Sequence, residues 1–67
     1  MSLSYGEMSA IEAEWTRYKE EHADRLGRIG SSMLALEFLM HECREVYPTE
    51  DEQDEIFNYI GCLEEWE

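Results

Sequence analysis

Gly27-Arg28-Ile29-Gly30-Ser31-Ser32 is the stretch whose reading decides the fold. Two glycines close one apolar-periodic run, and two serines able to cap a helix open the next. This is the pattern of a helix stop, a tight connection and a new helix N-terminus. The chain is expected to fold back here as an αα-hairpin.

Downstream, a helix is predicted over about residues 32–46. Turned at about 100° per residue, it places Met33, Leu36, Leu39, Met40, Cys43, Val46 and Tyr47 on one broad arc. Leu34 and Phe38 lie one turn apart on the other face, with His41, Glu42 and Glu45. A helix with two apolar surfaces has to be covered on both sides, so this is the central element.

Upstream, a helix is predicted over about 5–26. Met8, Ile11, Trp15, Tyr18, His22, Leu26 and Ile29 recur at spacings of three and four and form a single stripe. Two starts satisfy the S-x-x-E capping box, Ser4 with Glu7 and Ser9 with Glu12, and the sequence does not choose between them. Glu21/Arg25 and Asp24/Arg28 are spaced i,i+4 in the favoured order, worth about 0.2–0.5 kcal/mol each when exposed.

Pro48 ends the second helix, and Thr49 with Glu52 forms a capping box that opens a third, over about 50–65. Ile56, Tyr59, Ile60, Leu63 and Trp66 make its apolar stripe. Carboxylates at 50, 51, 52, 54 and 55 crowd the positive end of the macrodipole, where they are locally stabilising. Glu64, Glu65 and Glu67 stand at the opposite end, where they promote fraying, so local stability gives no reason for them.

The charge is segregated. Residues 1–16 carry three acids and no base, 17–44 carry five of each, and 45–67 carry nine acids and no Lys or Arg, which sums to the net −12. Such a field repels nucleic acid and anionic membranes and attracts basic protein surfaces. A small domain needs a net charge of only about 2–8 in magnitude for solubility, so the excess points to a partner. Carboxylates three or four residues apart on a helix lie about 5–6 Å apart, and a ridge of them can resemble a nucleic-acid backbone.

At 67 residues, 43% of them apolar, the chain is expected to form one small helical domain over 1–67 with a marginal core. Homodimerisation is the expected source of the missing stability. Two cysteines, Cys43 and Cys62, fit neither a disulfide framework nor a C-x-x-C metal site, which suggests reduced thiols. No apolar run approaches the ~20 residues of a membrane span, and no signal peptide is read at the N-terminus. A cytoplasmic location without membrane contact is the expectation.

No nucleophile is paired with a base, no glycine loop cradles phosphate, and no basic patch suits direct nucleic-acid binding. His22 sits on an apolar stripe, where a hydrogen-bonded core or interface histidine is the ordinary outcome. Glu37 and His41 are spaced i,i+4 but lack the further ligands that a metal requires. Neither catalysis, nor a metal, nor a cofactor is therefore expected.

The reading is an all-α protein, a helical hairpin plus a third, acidic helix in a small three-helix bundle. Its expected function is that of a non-enzymatic regulator or inhibitor engaging a basic surface on a partner protein. The sharpest form of that reading is a nucleic-acid mimic of the kind made by phages and mobile elements. Glu50, Asp51, Asp54, Glu55, Glu64 and Glu65 are the electrostatic candidates, and Leu34, Phe38, His41 and Trp66 the apolar docking or dimer candidates. The alternative is a structural or adaptor bundle that associates through the face around Leu34 and Phe38. A third class, a metal- or thiol-dependent sensor, would use Cys43, Cys62 and His41.

Overall fold

The structure, a computed structural model, describes residues 3–66 and is all-helical over them. Helix α1 spans Tyr5–Glu21, α2 Ala23–Ile29, α3 Ser31–Phe38 and α4 Glu50–Glu64, and a π-helical segment, Leu39–Cys43, continues α3. Between the two possible starts of α1 the structure takes Ser4. Its hydroxyl accepts from the Glu7 amide at 3.1 Å, and the Glu7 carboxylate accepts from the Ser4 amide at 2.8 Å.

The first predicted helix runs on to Ile29 but is broken at His22, whose φ of −120° and ψ of 37° leave the helical region. The Tyr18 carbonyl accepts from the His22 amide at 3.0 Å and lies 3.1 Å from His22 Nδ1, so backbone and ring cap α1 together. The break puts Glu21 and Arg25 in different helices. Neither of the expected i,i+4 ion pairs forms, and Arg25 instead reaches across to α3 and holds Glu37 through both oxygens.

The helix break within 27–32 takes place at one residue. Gly27 stays helical inside α2, and Gly30, at φ 86° and ψ 164°, makes the turn in a conformation essentially confined to glycine. Gly30 is itself the N-cap of α3, so neither serine caps that helix.

The second predicted helix changes character before residue 46. Over Leu39–Cys43 the hydrogen bonds widen to i→i+5, which slows the rotation of successive side chains. Leu39 and Cys43 are buried, at 5% and 4% exposure, and the slower rotation keeps Cys43 on the side of Phe38. The fourth element keeps the expected start, with Thr49 and Glu52 forming a reciprocal capping box.

The buried residues form one cluster: Ile11, Trp15 and Tyr18 of α1, Leu34, Ala35 and Phe38 of α3, Leu39 and Cys43 of the π segment, and Ile56 and Ile60 of α4. Phe38 lies at its aromatic centre, with ring centroids 5.4 Å from Trp15 and 5.3 Å from Tyr18. Tilted pairs at this distance add about 0.5–1.5 kcal/mol each beyond the area they bury. Leu34 and Phe38 are completely buried within the single chain. The reading of them as a docking or dimer face is corrected accordingly: α1 and α4 cover that side of α3.

Candidate partner-binding surface

Covering one side of α3 leaves the other side bare. Met33, Leu36 and Met40, expected on a packed arc, are 53%, 45% and 60% exposed. They recur at spacings of three and four and form a stripe along α3 and into the π segment. Between this stripe and α4 runs a groove of about 490 Å³ lined by Leu36, Leu39, Met40, Gln53, Asp54 and Phe57. A second hollow of about 610 Å³ begins on the other side of Phe57 and extends along Gly61 and Cys62 to Glu65 and Trp66.

The α4 wall has a regular build. Glu50, Asp54, Phe57 and Gly61 follow spacings of four, three and four, so they share one face of the helix, and the cap residue Glu65 borders the hollow beyond Gly61. Acids therefore stand at both ends of that wall, with an aromatic ring between them.

Trp66 closes the far end. Glu65 adopts the left-handed conformation at φ 60°, the Trp66 amide donates to the Gly61 carbonyl at 2.9 Å, and the Glu65 amide donates to Cys62 at 3.3 Å. This is a Schellman motif with glutamate where glycine is usual. The indole folds back over Gly61, packs tilted against Phe57 with ring centroids 4.9 Å apart and donates to Ser31 Oγ at 2.7 Å. Of the apolar candidates read from sequence, Trp66 alone borders either hollow, lining the second. It is half-buried and largely engaged within the chain.

The six electrostatic candidates divide. Glu50, Asp51, Asp54 and Glu65 are exposed, and none makes an ion pair among the described residues. Glu55 accepts from the Leu3 amide at 2.9 Å. Glu64 turns to α1, accepting from Trp15 Nε1 at 3.0 Å and from Lys19 Nζ at 2.6 Å. Partial burial pushes the Glu64 carboxyl up, but the hydrogen bonds from Lys19 and Trp15 and the lysine charge outweigh it and hold the group below its usual value. The acid that opposes its own helix dipole thus has a tertiary purpose: it satisfies the indole N–H of a tryptophan that is 1% exposed.

His41 is exposed and lies elsewhere, in a polar cleft with Tyr18, His22, Arg25, Glu37 and Glu42. Within that cleft the Arg25 guanidinium is occupied by Glu37, and the His22 ring stacks at 4.2 Å on Tyr18. Among the described residues no three His, Cys, Asp or Glu side chains gather so as to hold a metal. Cys43 is buried, and that burial, with Glu42 and Glu14 adding to it, pushes the thiol up to about 11. It is uncharged at neutral pH and a poor nucleophile. Cys62 is exposed on α4, and both thiols are free. No helix is long and apolar enough to cross a membrane among the described residues.

Set beside protein-family models, curated proteins and solved structures, the chain matches none of them.

The exposed Leu36 and Met40 were missed as candidates because periodicity assigned both faces of α3 to packing, and the half-buried Phe57 because it lies off the apolar stripe read for α4. The available signal was arithmetic: two flanking helices on one side leave none for the other. The methionines were a second signal, since flexible thioethers suit adaptable binding surfaces.

Proposed function

We propose that this protein is a non-enzymatic acidic binding module, a regulator or inhibitor that engages a basic surface on a partner protein. One observation carries the reading: Glu50, Asp51 and Asp54 stand exposed on the first turns of α4 with no base paired to them. Unneutralised carboxylates grouped on a rigid helix steer a cationic partner and set its orientation. The nucleic-acid mimic is the narrower form of this proposal. It draws on the exposed acids alone, whereas the commitment of Glu55 and Glu64 to internal bonds shortens the ridge such a mimic would use. The two free thiols are in keeping with a cytoplasmic setting.

A second reading, an adaptor that self-associates as a homodimer, draws on the exposed Met33, Leu36 and Met40. Salt separates the two. The electrostatic partner is expected to be captured at low ionic strength and lost steeply as salt rises, while an apolar self-contact holds or strengthens. The triple reversal Glu50→Lys, Asp51→Lys, Asp54→Lys is expected to abolish capture. Undiminished capture by that variant would refute the electrostatic proposal.

A further inference from the structure

The geometry points to one occupant for the α3/α4 groove: a basic amphipathic helix of a partner protein, about three turns long, laid along Leu36, Met40 and Phe57. This inference rests on the electrostatic reading above and gives it a place and a shape.

The centre of the groove is apolar and its ends are anionic. Leu36 and Met40 are exposed on one wall, and Phe57 lies midway along the other. Asp54 flanks Phe57 toward the helix start, with Glu50 one turn beyond, and Glu65 stands at the opposite end. At 1.5 Å per residue, Asp54 and Glu65 are about 16 Å apart along the axis, roughly the length of an eleven-residue helix. No Lys or Arg lines either hollow. A helix that seats two or three apolar side chains at i, i+3 or i+4 and i+7, with Lys or Arg at both ends, matches this surface in shape and charge. The flexible thioether of Met40 adapts to the side chains it meets.

Charge also decides against a second copy as the occupant. Each chain carries a net −12, and pairing two such grooves would bring Asp54 and Glu65 of one copy against the acids of the other. A cationic helix meets no such repulsion.

The test uses the whole chain labelled with ¹³C on its methionine methyls and a designed Leu/Lys amphipathic peptide. A Leu/Glu peptide of the same pattern and a Lys peptide lacking the leucines serve as comparisons. Titration with the Leu/Lys peptide is expected to shift the methyls of Met33 and Met40 and leave Met8, on α1, unmoved. Leu36→Glu and Met40→Glu, both at exposed positions, are expected to weaken binding by about tenfold or more with the circular dichroism melt preserved. Asp54→Lys with Glu65→Lys is expected to do the same and to flatten the salt dependence.

Several results would overturn the inference. If the groove variants bind normally while the charge reversals do not, the groove is wrong and the electrostatic reading survives. If the Leu/Glu peptide binds as well as Leu/Lys, the basic partner is wrong and the electrostatic reading falls with it. Dimerisation that depends on protein concentration and is lost in Met40→Glu would assign the groove to a second copy. Absence of any methyl shift with Leu/Lys removes the site altogether.

Discussion

Two glycines three residues apart show how little of a residue's role its identity reveals. Gly27 is an ordinary helical position inside α2, and a Cβ placed there meets nothing within 4 Å. Gly30 also has open space, but its φ of 86° is a backbone state that side chains resist. Gly27→Ala is therefore expected to stabilise the protein by about 0.5–1 kcal/mol, by raising helix propensity and restricting the unfolded chain. Gly30→Ala is expected to cost about 1–3 kcal/mol. Urea denaturation of the two variants checks the opposite signs. The stretch 27–32 announced a helix break in the sequence, but the glycine that makes it became known only from its dihedral angles.

At the scale of an element, α4 shows a helix whose two ends are held by different means. Its start is local and was legible, because Thr49 and Glu52 satisfy each other within four residues. Its end depends on Trp66, 35 residues from the serine to which it donates. A Cβ on Gly61 would come within 2.8 Å of Trp66 Cε3, so the indole can lie there only over a glycine. Gly61→Ala is expected to displace the ring and lower stability by about 1 kcal/mol, even though alanine is the better helix former by a similar amount. In a Trp66→Ala background the same change should become stabilising, since the clash is gone and the propensity gain remains. Denaturation of the four proteins in this cycle measures the sign reversal, and a cost for Gly61→Ala in both backgrounds would remove the clamp from the account. The π segment is the counterpart at α3: its wider winding turns Cys43 back toward the core face of Leu34 and Phe38, whereas an α-periodic projection places it on the opposite arc with Met33, Leu36 and Met40.

Across the whole molecule, Glu64 joins α4 to α1 through Trp15 and Lys19, with the lysine 5.6 Å above the Trp15 ring. Its folded pKa lies below its unfolded value, so the stabilisation is fully present above that unfolded value and is lost as pH falls through the lower, folded one. Glu64→Gln is expected to lose about 1–2 kcal/mol at neutral pH. The gap between wild type and variant should close as pH drops below the ordinary glutamate range. The comparison has to be made as a difference, because acid also relieves the mutual repulsion of a chain with net charge −12. Stability curves for both proteins from neutral to acid pH test this, and a gap that stays constant throughout would show that the carboxylate charge plays no part.

By itself the sequence determined the helical class, the capped start at Thr49, the apolar stripe of α1 and the segregation of charge, and it narrowed the start of α1 to Ser4 or Ser9. Each of these is encoded in spacing and residue type within a few turns, where interactions are local. Tertiary structure decided which face of α3 became core and which stayed bare, which acids of α4 were turned inward and which were left to solvent, and where Arg25 found its partner. Those outcomes depend on which elements meet. With α1 and α4 covering the same side of α3, Leu34 and Phe38 were enclosed, and Leu36 and Met40 were left facing out beside an acidic helix.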